Sequence, residues 1–157
     1  SFANVDNVID KLYEKNFASG LLATTLLTFS LRISEGIELI NSYKQYINYK
    51  NDKYEISNLK GKNGKVYTIK TIQSTLLEKI KYFHQNNLKL PSKKGFNNSI
   101  QKIEKNKSAH SFRYQAVQRE HQLNLKNGMS YKQSLAKLSI MLNHKRIEIS
   151  QRYLLRV

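Results

Sequence analysis

Apolar positions along the chain follow a helical spacing at both ends and a strand-like pattern in the middle. From the amino terminus they recur as Val5, Val8, Ile9, Leu12 and Tyr13, and again, after a Ser19-Gly20 break, as Leu21, Leu22, Leu26 and Phe29. This spacing predicts two helices, the second apolar on most sides. A short helical stretch, SEGIELI, comes next, with Ser34 as its cap and Ile37 and Ile40 as its apolar positions. The period then changes. QYINYKNDKYEISNLKGKNGKVYTIK is rich in Tyr, Ile and Val and is cut by Asn-Asp and by Asn63-Gly64, a hairpin signal. Three short antiparallel strands are expected, near residues 46–49, 54–59 and 66–70.

Helical spacing returns with Ile72, Leu76, Ile80 and Phe83 and ends before QNNLKLPSKKGFNN, which holds the only proline, Pro91, and reads as loop. In the last third, one helix begins near His110 and stops at Gly128, and another opens at Ser130 with Gln133 completing a capping box. Tyr131, Leu135, Leu138 and Leu142 form its expected buried face, and a final short helix carries Ile147, Ile149 and Tyr153. The expected fold class is α+β, mainly helical, with a small three-stranded antiparallel sheet. No internal repeat or low-complexity tract interrupts it.

Composition adds one decisive feature. The 157 residues are 39% apolar, enough for one domain with a real core, and the low mean hydropathy of −0.59 reflects charged and amide side chains rather than disorder. Against 11 Asp and Glu stand 27 Lys and Arg, a net charge of +16 spread along the whole chain. Such a surplus repels itself in a compact state and calls for a polyanionic partner, nucleic acid before an acidic membrane surface. The absence of cysteine excludes disulfides and thiolate metal sites and points to a cytoplasmic setting. LLATTLLTFSL, the longest apolar stretch, falls short of the ~20 residues a bilayer requires. No signal peptide is visible, and the chain opens on Ser1, as an excised domain would.

Three distant segments carry candidate chemistry: SLRISEG with Arg32 and Glu35, HSFR with His110 and Arg113 on one helix face, and LNH with His144, followed by Tyr153. In this order and spacing they resemble the catalytic domain of the tyrosine recombinase (phage integrase) family, which runs arginine, hairpin lysine, His-x-x-Arg, His or Trp, and tyrosine. The resemblance spans Arg32 to Tyr153. Phe112 stands where the family usually has Leu, Asn143 where it has Gly, and Tyr114 where a His often follows the second arginine. Asn tolerates a left-handed backbone, so the LNH turn is expected to survive. The long segment between His110 and Tyr153 looks more like integrases of mobile or conjugative elements than like the compact Xer type.

The resemblance implies a site-specific recombinase that cuts and rejoins duplex DNA through a covalent 3′-phosphotyrosyl intermediate, without metal, ATP or other cofactor. Arg32 and Arg113 would hold the phosphate as bidentate donors, with Glu35 orienting Arg32 or a neighbour. His110 and His144 would add donors, one of them also helping to take the proton of the nucleophile, Tyr153. A lysine of KGKNGK would protonate the leaving 5′ oxygen: Lys62 first, Lys60 second. Lys65, Lys93 and Lys94 are candidate DNA contacts, as are Lys102, Lys105 and Lys107. His84 and His121 match no motif position and are expected in packing or at the surface. Residues 1–157 then form the catalytic domain without the family's amino-terminal core-binding domain. Its partners would be double-stranded DNA and further protomers, a tetrameric synapse for the full-length protein and a monomer for this piece. It would act in the cytoplasm, associated with the bacterial nucleoid. A type IB topoisomerase, or a catalytically silent basic DNA-binding module, are the alternatives. Convergence of Arg32, His110, Arg113, His144 and Tyr153 on one anion-sized site separates the enzymes from a module whose residues point apart.

Overall fold

Two asparagines set the first helical pair. In the computed structural model, which describes residues 1–144 and 147–155 except for the side chains of Asn63 and Ile147, Asn4 caps α1 (Val5–Lys15) by accepting from Asn7 N–H. Asn16 both closes α1, through its N–H to Leu12 O, and opens α2 (Phe17–Phe29), through its side chain to Ser19 N–H. The break thus lies at Asn16, not at Ser19-Gly20. Gly20 sits inside α2 for a packing reason: a Cβ there would lie 2.2 Å from the Tyr13 ring. Helix α2 is buried on nearly every side, as its unbroken apolar composition requires.

Ser30, left-handed at φ 57°, ends α2, and α3 (Ile33–Asn41) leaves at a bend of 113°. The expected cap, Ser34, lies within α3; the N-cap is Arg32, whose N–H is bound by the Glu35 carboxylate at 2.8 Å. A single turn, α4 (Tyr43–Tyr46), leads into the sheet.

Strands β1 (Ile47–Lys50), β2 (Lys53–Ile56) and β3 (Lys70–Ile72) form an antiparallel sheet in that order, with Tyr49 opposite Tyr54 and Tyr54 opposite Ile72. Asn51 and Asp52, both at positive φ, make the two-residue turn between β1 and β2. The second and third strands depart from expectation: β2 stops at Ile56 and β3 starts only at Lys70. The intervening segment forms an arm closed by a lone Lys60–Val66 bridge around a 3-10 turn, Lys62–Gly64. Asn63-Gly64 therefore belongs to that turn and not to a two-residue hairpin.

Helices α5 (Ser74–Gln85), α7 (His110–Lys126), α8 (Tyr131–Met141) and α9 (Ile147–Leu154) lie where they are expected, except that Ile72, read as the first apolar position of α5, ends β3 opposite Tyr54. Helix α6 (Lys93–Ile103) occupies the end of the stretch read as loop. Ser92 caps it by accepting from Gly95 N–H, and Phe96 and Ile100 bury one face among Lys, Asn and Gly that mask the period. Tyr131, expected in the core, is 49% exposed and stands edge-on to His121.

A larger apolar cluster joins α1, α2, α3, α5, α6, the sheet and Phe112 of α7; a smaller one gathers Val117, Leu138, Leu142 and Tyr153. Helix α7 runs between the two. Among the described residues no single helix is long and apolar enough to cross a membrane.

The Tyr13–Gly20 contact gives a direct test of the α1–α2 packing. Gly20→Ala should destabilise the fold by ~1–3 kcal/mol through overpacking, read as a lowered urea midpoint with an unchanged slope.

Candidate active site

The site forms at the seam between the two clusters, where α2 and α8 both end on left-handed residues. At α2 the Leu31 N–H returns to Leu26 O; at α8, Asn143 (φ 60°) and His144 return their N–H groups to Ile140 O and Ser139 O. The LNH turn is thus a Schellman cap with Asn in the left-handed position. These turns leave carbonyls of both helix ends pointing toward one another, and a fully buried guanidinium fills the gap. Arg113 donates to Ser30 O on one side and, at 2.7 Å, to Leu142 O on the other. Lys70 repeats the pattern beside it, donating to Phe29 O at 2.7 Å and Met141 O at 3.4 Å. Both cations satisfy orphan carbonyls and face the negative ends of two helix dipoles.

The remaining donors of Arg113 reach two tyrosines. Its Nη1 donates to the Tyr67 hydroxyl at 3.0 Å and its Nε to the Tyr153 hydroxyl at 3.2 Å. Tyr67 in turn donates to Glu35 at 2.8 Å, and Glu35 pairs with Arg32 at 3.3 Å and stands 3.9 Å from Arg113. Arg32 also reaches Tyr67 at 3.5 Å. One carboxylate and one phenol therefore hold two guanidinium groups together, the first buried and the second partly exposed. Burial, with Glu35 beside it, pushes the Tyr67 hydroxyl up to about 12, so it stays a neutral hydrogen-bonding link.

Tyr153, on α9, is itself buried and its hydroxyl meets His110 Nε2 at 3.0 Å. Arg113 donates to that oxygen, and in the tautomer that leaves Nε2 unprotonated His110 accepts the phenolic proton. Tyr114, one turn beyond His110, packs edge-on against both rings, 4.6 Å from His110 and 4.9 Å from Tyr153 between centroids. His144 lies against Tyr153 on another side, at 4.9 Å. Burial and then the positive charge of Arg113 and Arg32 push the His144 imidazole down to about 4.

Arg32, His110, Arg113, His144 and Tyr153 thus converge, supported by Glu35. The lysines are arranged differently. Lys60 and Lys62 are exposed and border, with Arg32 and Glu35, an open cleft of about 320 Å³. Lys65 is exposed, but its carbonyl accepts from Asn143 Nδ2 at 2.9 Å, which ties the LNH turn to the arm. Glycine at position 143 could not make that bond. Lys93 and Lys94 lie exposed at the start of α6; Lys102 and Lys105 are exposed and Lys107 half-buried. His84 and His121 are packing residues, bonded to Ile40 O and to Ser134.

Two members of the site carry no motif: Tyr67 and Lys70. In the sequence they read as an ordinary strand tyrosine and one of many lysines, and only the need of a buried hydroxyl or amine for partners marks them. Burial and the neighbouring Arg113 push the Lys70 amine down to about 8. Comparison with family models, curated proteins and solved structures gives no match.

Two outcomes check the site's energetics. Arg113→Ala leaves the buried Ser30 O and Leu142 O without their donor and should cost ~3–5 kcal/mol in urea unfolding. His144 in the folded chain stays neutral down to about 4, whereas the unfolded imidazole takes a proton near 6.5. The unfolded state then binds more protons within that window, so stability is present above it and falls as pH drops through it. Urea midpoints at about pH 7 and about pH 4.5 should show this loss, and His144→Gln should flatten it.

Proposed function

We propose that this chain is the integrase-like catalytic domain of a tyrosine site-specific DNA recombinase. The observation that carries the reading is the Tyr153 hydroxyl held between His110 Nε2 and Arg113 Nε within a single chain. That oxygen lies where a nucleophile needs a base on one side and a fixed cation on the other.

In the proposed reaction the scissile phosphate enters beside Arg113 and Arg32, whose charges offset the charge gathering on its non-bridging oxygens. Tyr153 attacks phosphorus; its O–P bond forms as its proton passes to His110 Nε2. The bond from phosphorus to the deoxyribose 5′ oxygen breaks, and that oxygen takes a proton from Lys62, or from Lys60 beside it in the cleft shared with Arg32. The 3′-phosphotyrosyl linkage conserves the bond energy, so reversal by a 5′ hydroxyl rejoins a strand with no metal or nucleotide consumed. Glu35 and Tyr67 keep the two arginines in register.

The partners in this reading are double-stranded DNA, drawn by the +16 charge and by exposed lysines such as Lys65, Lys93 and Lys94, and further protomers of the full-length protein, four in a synapse. This piece would act as a monomer in the cytoplasm, on the bacterial nucleoid.

Incubation with nicked duplexes spanning the ends of the encoding element should yield a denaturation-resistant protein–DNA band that Tyr153→Phe abolishes. Lys62→Ala should slow its appearance by ~100-fold or more on ordinary DNA. Sulfur in place of the leaving 5′ oxygen should restore the rate, because a thiolate departs without a proton. The same defect and rescue in Lys60→Ala alone would move the acid to Lys60. A band unaffected by Tyr153→Phe would overturn the reading, and convergence without any band from the full-length protein would favour a silent DNA-binding module.

A further inference from the structure

The hydrogen bonds behind His144 fix more than its position. His144 Nδ1 lies 3.0 Å from Ser150 Oγ; Ser150 Oγ lies 2.8 Å from Ser139 Oγ; and Ser139 Oγ lies 2.9 Å from Leu135 O, one turn back in α8. All three polar side chains are buried, Ser150 completely and His144 at 9% exposure. Each hydroxyl has one proton, and a carbonyl only accepts. Ser139 therefore gives its proton to Leu135 O and must accept from Ser150. Ser150, its proton spent, must accept from His144. The direction of the whole chain follows from its last carbonyl, and it requires the proton of His144 to sit on Nδ1.

The other ring nitrogen, Nε2, is then a lone pair. It is buried and has no hydrogen-bonding partner among the described residues, one of only two such side-chain atoms there. A buried unpartnered nitrogen costs stability, and its place beside Tyr153 marks it as held for something else. The charges of Arg113, Arg32, His110 and Lys65 act on the ring, and Tyr153 packs against it. In this tautomer Nε2 cannot donate to a phosphate oxygen, the part the sequence resemblance gives His144.

We infer that Ser139 and Ser150 are positioning residues that lock His144 in its Nδ1–H tautomer, so that Nε2 meets the DNA phosphate as a proton acceptor rather than a ready-made donor. The consequence for cleavage rests on the recombinase reading; the tautomer does not. His110 receives the Tyr153 proton, and His144 is a second, separately held acceptor. A phosphodiester brought against its lone pair is repelled until Nε2 takes a proton from solvent, a step the phosphate's negative charge favours, after which the same nitrogen donates to the phosphate. Position 150 controls this through the hydroxyl, since no other group in the relay reaches Nδ1.

Nitrogen-15 spectra of histidine-labelled protein near neutral pH test the assignment without any DNA. Wild type should give His144 a pyrrole-type Nδ1 and a pyridine-type Nε2, assigned by loss of the signals in His144→Gln. Ser139→Ala, which removes the acceptor for Ser150 and lets that hydroxyl turn toward Nδ1, should move population to the Nε2–H form. Ser150→Ala should bring the two shifts toward each other and slow covalent adduct formation ~10-fold or more. A pyridine-type Nδ1 in the wild type would overturn the inference. So would unchanged His144 shifts and adduct rate in Ser150→Ala. Wild-type spectra as expected, in a full-length protein that forms no adduct with any substrate, would leave the tautomer standing while the recombinase reading failed.

Discussion

A single buried guanidinium holds this molecule's two halves at a common point. Arg113 is fully enclosed, and removing a charge from water costs several kcal/mol that only good geometry recovers. Here recovery comes from the C-terminal carbonyls of α2 and α8, from the Tyr67 and Tyr153 hydroxyls, and from nearby Glu35. Because α2 belongs to the larger apolar cluster and α8 to the smaller, the cation fixes how the clusters meet. The left-handed residues Ser30 and Asn143 follow from this demand, since each turns a helix end so that its carbonyls face inward.

The proposed chemistry rests on the same constraint. In the proposed reaction a guanidinium already anchored by two helix ends would face the developing negative charge as Tyr153 leaves its Nε. Its Nε holds the Tyr153 hydroxyl, so the proposed nucleophile is docked by the group that would later hold the phosphate. Glu35 extends the arrangement to Arg32 at the start of α3, and Asn143 extends it to the lysine-bearing arm. In the proposed reading stability and reactivity are coupled at Arg113, and few substitutions there would change only one of them. Lys62 and Lys60, the proposed proton donors, stand apart from that coupling on an exposed arm.

Much of this was legible from residues alone, for identifiable reasons. Helices α5 and α9 carry clear apolar periods, α8 a clear cap in Ser130 with Gln133, and α7 a clear stop at Gly128. Arg32, His110, Arg113, His144 and Tyr153 are chemically distinctive residues in a recognisable order, and the structure gathers them. What escaped lacks a local signal. Helix α6 buries only Phe96, Ser99 and Ile100 among polar neighbours. Asn63-Gly64 became a 3-10 turn because the arm leaves the sheet after Ile56 to reach Asn143, a choice made by tertiary contact rather than by the dipeptide. Gly20 punctuates nothing because the Tyr13 ring claims its missing side chain. Tyr67, Lys70, Ser139 and Ser150 are common residue types whose importance lies wholly in what they touch.

In the proposed reaction Tyr153, among ten tyrosines, supplies the oxygen that attacks phosphorus. Peptide mapping of a nuclease-trimmed protein–DNA adduct addresses it most directly, because Tyr114 packs against the same histidine and is the nearest rival. A 3′-phosphonucleotide mass is expected on the peptide bearing Tyr153 and none on the peptide bearing Tyr114. Nucleotide found on Tyr114, or on any residue other than Tyr153, would contradict it.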